Sequence, residues 1–356
     1  EGIRGIGMSS APPMHAGSDQ YVPPVALYPE GETVRIVENA EDREPTPDSQ
    51  DGPAHPLGVA AQDIGRFIPS LRYGVAEDKG SRSMMEDAHL CIDDIGFLLK
   101  NHLEMPRARA FFAVFDGHGG EDAAHYARDH ILANIIASDS FPAETEKAMA
   151  HGFLRTDLDF DQACIGGDVE ASGTTVVAAL VWGCTLYVAN AGDCRCVLSR
   201  RGKAIELSED HKPTSTSELE RIKSTGGFVE DGYLNGILGA SRAIGDWHLQ
   251  IKGEGGLKSS GPLTSEPEVQ RAAFTGEDEF MIMACDGLWD VFSSQNAVEF
   301  ARSQLRQHND PGRCSQELVA EALRRHTTDN VSCITVCFTP HPPPKREWTN
   351  KNSVLG

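Results

Sequence analysis

The chain predicts an α+β fold in which antiparallel sheets pack together under a cover of helices. Short β-rich runs follow one another in meander order, helical patterns come inserted as pairs, and no internal repeat is present. A parallel βαβ series would alternate strand and helix more regularly. At 356 residues and 40% hydrophobic, the chain can bury a full core in one large domain or two small ones.

Residues 1 to 69 hold ten of the twenty prolines and an acidic run between Glu30 and Asp51, without sustained periodicity. They read as a largely disordered or loosely docked extension, with a short strand allowed at Thr33–Val37. From Leu71 the texture changes. Leu71–Ala76 alternates like a strand, and Ala88–Ile92 suits its partner. Phe111 to Phe115 are mostly aromatic or β-branched and too few for a helix, so they read as a buried strand. It runs into Asp116-Gly-His-Gly-Gly120, whose glycines allow a sharp turn. Glu121–Ser138 is helical, with Ala124, Ala127, Ile131 and Ile135 at three-to-four spacing, and a second helix covers Thr145–Leu158.

Thr174–Trp182 and Thr185–Ala189 form a hairpin about Gly183-Cys184, and Cys194–Ser199 turns at Arg201-Gly202 into Lys203–Leu207. Ser217 and Glu220 have capping-box spacing ahead of a helix that Gly226-Gly227 stops. Phe280–Ala284 repeats the earlier pattern, an apolar strand leading into Asp286-Gly287. Helices at Gln295–Gln307 and Gln316–Arg325 precede the last strand, Val331–Phe338. The domain is expected over residues 70–339, with a Pro-rich polar tail at 340–356.

The net charge of −21 (32 basic residues against 53 acidic) excludes the basic surface of a nucleic-acid binder. Nine cysteines without a CxxC pair, mostly in apolar runs, read as buried reduced thiols of a cytoplasmic or nuclear protein. No apolar run approaches a membrane span, and the first residues lack the apolar core of a signal peptide. The sequence begins at Glu1 without Met, as a piece of a longer chain would.

Several acids stand where strands begin or end: Glu86 and Asp87, Asp116, Asp286 and Asp329. Each alone is more readily a turn or cap residue than a ligand; the functional reading rests on their equivalent placement. Carboxylates crowded together either take up protons or bind a cation. Hard oxygen ligands without clustered Cys or paired His favour Mg²⁺ or Mn²⁺ over zinc. Two such ions, about 3.5–4 Å apart, can activate a water and clamp an in-line phosphoryl displacement.

The region from about Leu71 to Phe338 resembles the metal-dependent protein phosphatases of the type 2C family. The motifs, in family order, are Arg82-x-x-x-Glu86-Asp87, Asp116-Gly-His-Gly-Gly120, Ser172-Gly-Thr-Thr175, Ala189-Asn-Ala-Gly-Asp193 and Asp210-His-Lys-Pro213. They continue with Ser241-Arg-Ala-Ile-Gly-Asp246, Glu266-Pro267, Cys285-Asp-Gly-Leu-Trp-Asp290 and Asp329-Asn330. The resemblance implies a central antiparallel β-sandwich flanked by α-helices, a four-layer α-β-β-α arrangement. It also implies removal of phosphate from phosphoserine and phosphothreonine of phosphoprotein substrates, with a monomer expected.

By the same resemblance Asp116 would bridge two ions, Glu86 and the Gly117 carbonyl completing one site, Asp286 and Asp329 the other. Asp87 would hold a metal-bound water, and Arg82 would pair with the substrate phosphate. A bridging hydroxide would attack phosphorus directly, and His118 would protonate the departing oxygen. Asp193 and Asp290 match positions for a weaker third ion. Arg242 and Asp246 read as structural. His326-Thr327-Thr328 departs from the small pair usual before Asp329, which puts the placement of that loop in question. The alternative is a phosphatase-like binding protein with little turnover, which loss of a metal ligand or of Arg82 would favour.

Overall fold

The structure is a computed structural model that describes residues 67–99, 106–249 and 261–345. The first strands are β1 (Arg72–Asp78), β2 (Ala88–Ile92) and β3 (Arg109–His118), followed by helices α1 (Asp122–Ile136) and α2 (Thr145–Gly166). Next come β4 (Gly173–Trp182), β5 (Thr185–Ala191), β6 (Arg195–Arg200) and β7 (Lys203–Glu206). Helix α3 (Thr216–Ser224) leads to the short β8 (Val229–Glu230), β9 (Tyr233–Leu234) and β10 (Ile244–Gly245). The chain then forms β11 (Glu268–Ala273), β12 (Asp278–Ala284), α4 (Asp286–Trp289), α5 (Ser294–His308), α6 (Pro311–Arg324) and β13 (Val331–Cys337).

One sheet runs β1-β13-β12-β6-β7; the other runs β11-β5-β4-β3-β2, with β10 added against β4. Their pairings are antiparallel throughout. Phe112, Val114 and Val177 of one sheet meet Leu198, Met281, Met283 and Ile334 of the other, making the inter-sheet core. Opposite faces bury against helices: Phe111 and Phe115 against Ile131, Ile135 and Phe153, and Phe280 and Ile282 against Leu305 and Leu318. The order of layers is therefore α-β-β-α, as expected. Phe111, Phe112 and Phe115 are wholly buried, so truncating any one to Ala costs about 3–5 kcal/mol.

Side chains alternate along a strand, so parity positions the site. Strand β3 continues past its apolar run, pairing Asp116, Gly117 and His118 with Thr175, Thr174 and Gly173 of β4. Asp116 and His118 share the parity of Phe112 and Val114 and so face the second sheet. The Asp-Gly-His segment expected as a turn is thus the end of the strand, which fixes both side chains more firmly.

Three differences from the sequence reading have local causes. Helix α2 extends to Gly166 because its buried acids have partners: Asp157 takes Ser265 Oγ and Trp247 Nε1, and Asp159 pairs with Arg155. Helix α3 starts at Thr216 with Ser215 as its cap, so Ser217 lies inside it and no capping box forms. Strand β11 carries no apolar alternation; its pairing to β5 makes it a strand. Of the two flanking segments, Phe67 and Ile68 pack on the inter-sheet core and Pro344 O accepts from Arg302. The strand allowed at Thr33–Val37 and nearly all of the extension lie outside the described residues.

Helix α3 is tied down by Glu218, which is 2% exposed and accepts from Arg221, Ser241 and Arg242. Burial opposes its charge, but Arg242, Arg221 and Ser241 overcome it and hold the carboxyl at about 2. A group lowered from 4.5 to about 2 stabilises the fold above 4.5, and the contribution disappears as pH falls through 2. Glu218→Gln should therefore cost about 3 kcal/mol at pH 7 in denaturant unfolding. The gap to wild type should narrow below pH 4.5; a gap independent of pH contradicts the ion-pair account.

Candidate metal centre

The ends of β3 and β12 bring carboxylates together between the sheets. Ligand atoms of Asp116, Asp193 and Asp286 lie within 4.8 Å of one another, as do those of Asp87, Asp116 and Cys285. Asp286 follows β12 directly and opens α4. Burial, then Asp87, Asp286, Asp193 and Asp329, push the Asp116 carboxyl well above its ordinary value. Burial and the neighbours Asp193, Asp290 and Asp329 raise Asp286 to about 7 against an opposing Lys212. Asp290 is also raised, by burial first and then by Asp193 and Asp329 against Lys212.

Asp87 is 5% exposed and neither of its carboxylate oxygens makes a hydrogen bond. Burial raises it to about 6, although the Cys285 thiol and Ser332 hydroxyl beside it favour the ionised form. The Cys285 thiol itself is directed at Asn330 O, 3.4 Å away, and its sulfur accepts from Ser332 N–H. Buried carboxylates left without hydrogen bonds are costly unless a cation compensates them. The donor set is mainly carboxylate oxygen, which fits Mg²⁺ or Mn²⁺.

Other expected residues surround this cluster. Glu86 accepts the Gly120 N–H at Oε1, 2.7 Å, and its own N–H donates to Asn330 Oδ1. Gly117 passes so close to Glu86 that a Cβ would meet Glu86 O at 2.2 Å. Arg82, with a half-exposed side chain, ion-pairs with Asp329 at 2.6 Å. Lys212 ion-pairs with Asp193. His118 Nε2 lies 2.5 Å from Asp246 Oδ2, so Asp246, read as structural, touches the expected proton donor. Arg242 agrees with its structural reading through its bonds to Glu218.

The sequence reading gave no task to Asn330, His211 or Asp157, and each braces the site. Asn330 Nδ2 donates to the carbonyls of Lys79 and Met84, pinning the loop that carries Arg82 and Glu86. His211 Nδ1 accepts the Gly192 N–H beside Asp193, while burial lowers the ring to about 4 and keeps it neutral. The departure at His326-Thr327-Thr328 is absorbed through main chain: Ser81 Oγ donates to Thr328 O, and Asp329 still faces the cluster's charge. Adjacency to the metal motifs is the one sequence signal that marks Asn330 and His211.

The fold and this acidic centre define a metal-dependent phosphatase. Residues 71–331 match the family model for protein phosphatase 2C. Probable protein phosphatase 2C 22 of Arabidopsis thaliana is 52% identical over 281 residues, covering 78% of this chain and 71% of that protein. Probable protein phosphatase 2C 27 of the same plant is 51% identical over 293 residues, covering 82% and 75%. A solved serine-threonine phosphatase 2C from Toxoplasma gondii shares the fold, with a TM-score of 0.62 at 24% identity, over 77% of this chain and 98% of that one. The chain belongs to the protein phosphatase 2C family and catalyses metal-dependent removal of phosphate from serine and threonine of proteins. Among the described residues, no helix is long and apolar enough to cross a membrane.

In metal-free protein the raised acids destabilise the fold as pH climbs above their ordinary value of 3.8, because the unfolded chain releases those protons first. Asp116→Asn should raise the melting temperature in EDTA at pH 7.5 by about 4–8 °C, corresponding to about 2 kcal/mol. The gain should fade toward pH 4, and added Mn²⁺ should no longer stabilise the variant. An unchanged or lower melting temperature in EDTA contradicts carboxylate crowding.

Proposed function

We propose that this chain hydrolyses phosphoserine and phosphothreonine by direct attack of water on phosphorus, with two Mg²⁺ or Mn²⁺ ions held by its carboxylate cluster. The convergence of Asp116, Asp193 and Asp286 within 4.8 Å, beside an Asp87 without hydrogen bonds, carries this reading. Asp116 would be the shared ligand, and Glu86, the Gly117 carbonyl, Asp286 and Asp329 would help to hold the ions. Divalent ions bound there supply Lewis acidity, lowering the pKa of coordinated water and offsetting charge on the phosphoryl oxygens.

The chain's own residues divide the remaining work. Asp87 has two oxygens free to orient the attacking water. Glu86 is steadied at Oε1 by Gly120 N–H, leaving Oε2 as its ligand atom. Arg82 exchanges Asp329 for substrate phosphate; a surface ion pair contributes at most about 1 kcal/mol, and phosphate accepts the guanidinium in bidentate fashion. His118 protonates the departing serine or threonine oxygen, a poor leaving group otherwise. The buried Cys285 thiol is no nucleophile, because burial, Asp87 and Asp116 keep it protonated well above the ordinary thiol range. Asp193 and Asp290 would hold a third ion only weakly, since Lys212 already ion-pairs with Asp193. Nine free thiols, seven of them buried, support a reducing compartment, the cytoplasm or nucleus.

Phosphate release from a phosphothreonine peptide should stop with EDTA and return with Mn²⁺ or Mg²⁺. Release that persists in chelator contradicts the metal reading. His118→Ala should slow the peptide by about 10²–10⁴-fold. The same variant should slow p-nitrophenyl phosphate, whose leaving group needs little protonation, far less. Equal losses on the two substrates remove His118 as the acid.

A further inference from the structure

The contact between His118 Nε2 and Asp246 Oδ2 is built by sheet register. His118 ends β3 opposite Gly173 of β4, and Gly173 stands opposite Gly245 of β10. Three neighbouring strands thus hold ring and carboxylate in one row. A Cβ at Gly173 would lie 2.1 Å from Asp246 Oδ2 and 2.2 Å from His118 Nε2. Only glycine leaves room for this hydrogen bond.

Asp246 is also held in an uncommon conformation. Its φ is +50°, in the left-handed region that residues other than glycine, Asn and Asp seldom adopt. Its N–H donates to Ser172 O at 3.3 Å. From behind, the buried Asp157 accepts from Gly245 N–H at 2.8 Å, Trp247 Nε1 at 3.1 Å and Ser265 Oγ at 2.9 Å. Such over-determined strain beside a reactive group points to a functional constraint.

We propose that Asp246 is a positioning residue for His118, holding Nε2–H so that Nδ1 delivers the proton to the departing serine or threonine oxygen. The proposal rests on the reading of His118 as the general acid. An ionised carboxylate only accepts, so the bond requires the proton on Nε2, and the bond at one ring nitrogen sets the role of the other. As the P–O bond breaks, its electron pair stays on the leaving oxygen. That oxygen takes the Nδ1 proton, the alcohol departs, and the ring is left neutral with its proton on Nε2. Gly173 belongs to the same device because it admits the contact.

Asp246→Asn keeps the size and tolerates a left-handed backbone. With Mn²⁺ it should lose about 10- to 100-fold in kcat on a phosphothreonine peptide and less than about threefold on p-nitrophenyl phosphate. Gly173→Ala should show the same selectivity. Added to His118→Ala, Asp246→Asn should cost nothing further, since no ring remains to be positioned. Independently of turnover, ¹⁵N-labelled wild type should show a downfield hydrogen-bonded Nε2 proton at His118 that Asp246→Asn moves upfield, because a neutral amide oxygen accepts more weakly than a carboxylate. Multiplying losses in the double variant, equal losses on both substrates, or an unchanged His118 signal overturn the proposal alone. Equal losses from His118→Ala itself overturn the acid reading and the proposal with it.

Discussion

Like charges converge where the two sheets end together. Strand β3 delivers Asp116, the end of β12 delivers Asp286, and Asp87 and Asp193 close in from neighbouring loops. Their mutual repulsion and burial raise Asp116, Asp87 and Asp286 together. A fold that holds such a cluster in metal-free form gives up stability, and divalent cations restore it. The rigidity of the sandwich is what makes this possible: wholly buried phenylalanines on both faces of β3 keep Asp116 from moving away from its neighbours.

Hydrogen bonds from outside the cluster extend that rigidity to the loops. Asn330 ties the Arg82 loop to the start of β13 through two backbone carbonyls and the Glu86 N–H. Asp157, reaching out of α2, fixes the turn that carries Asp246, and Asp246 in turn fixes His118. His118 and the loop that carries Arg82 are thus supported separately, each by a buried polar side chain whose own lone pairs or protons are satisfied locally. Preorganisation of this kind lets binding energy act at phosphorus without first ordering the site.

Much of this was legible in the chain. The apolar run Phe111–Phe115 marked the central strand, and Ala88–Ile92 matched β2 to the residue, although β2 pairs with β3 and its expected partner β1 pairs with β13 in the other sheet. The placement of five acids at strand ends anticipated the cluster, although not which of them touch. What escaped had physical causes. Asp157, Asp159 and Asp161 interrupt the apolar period of α2, yet all three are buried. Half-exposed β11 has no periodicity to read. The Asp246–His118 contact joins residues far apart in sequence through strand register, which local pattern does not report. Glu86 and Asp329 stood out by their place beside strand ends and by the family resemblance, while their hydrogen bonds to Gly120 and Arg82 required coordinates.

The central claim is that the carboxylates are crowded enough to retain protons until a cation arrives. Calorimetric titration of the metal-free protein with Mn²⁺ at pH 6, in buffers of differing ionisation enthalpy, counts protons released on binding. The account predicts release of at least about one proton per protein at pH 6, falling as pH rises past the value of about 7 held by Asp286. Binding without proton release across that range would show carboxylates already ionised, contradicting the electrostatic picture of the site.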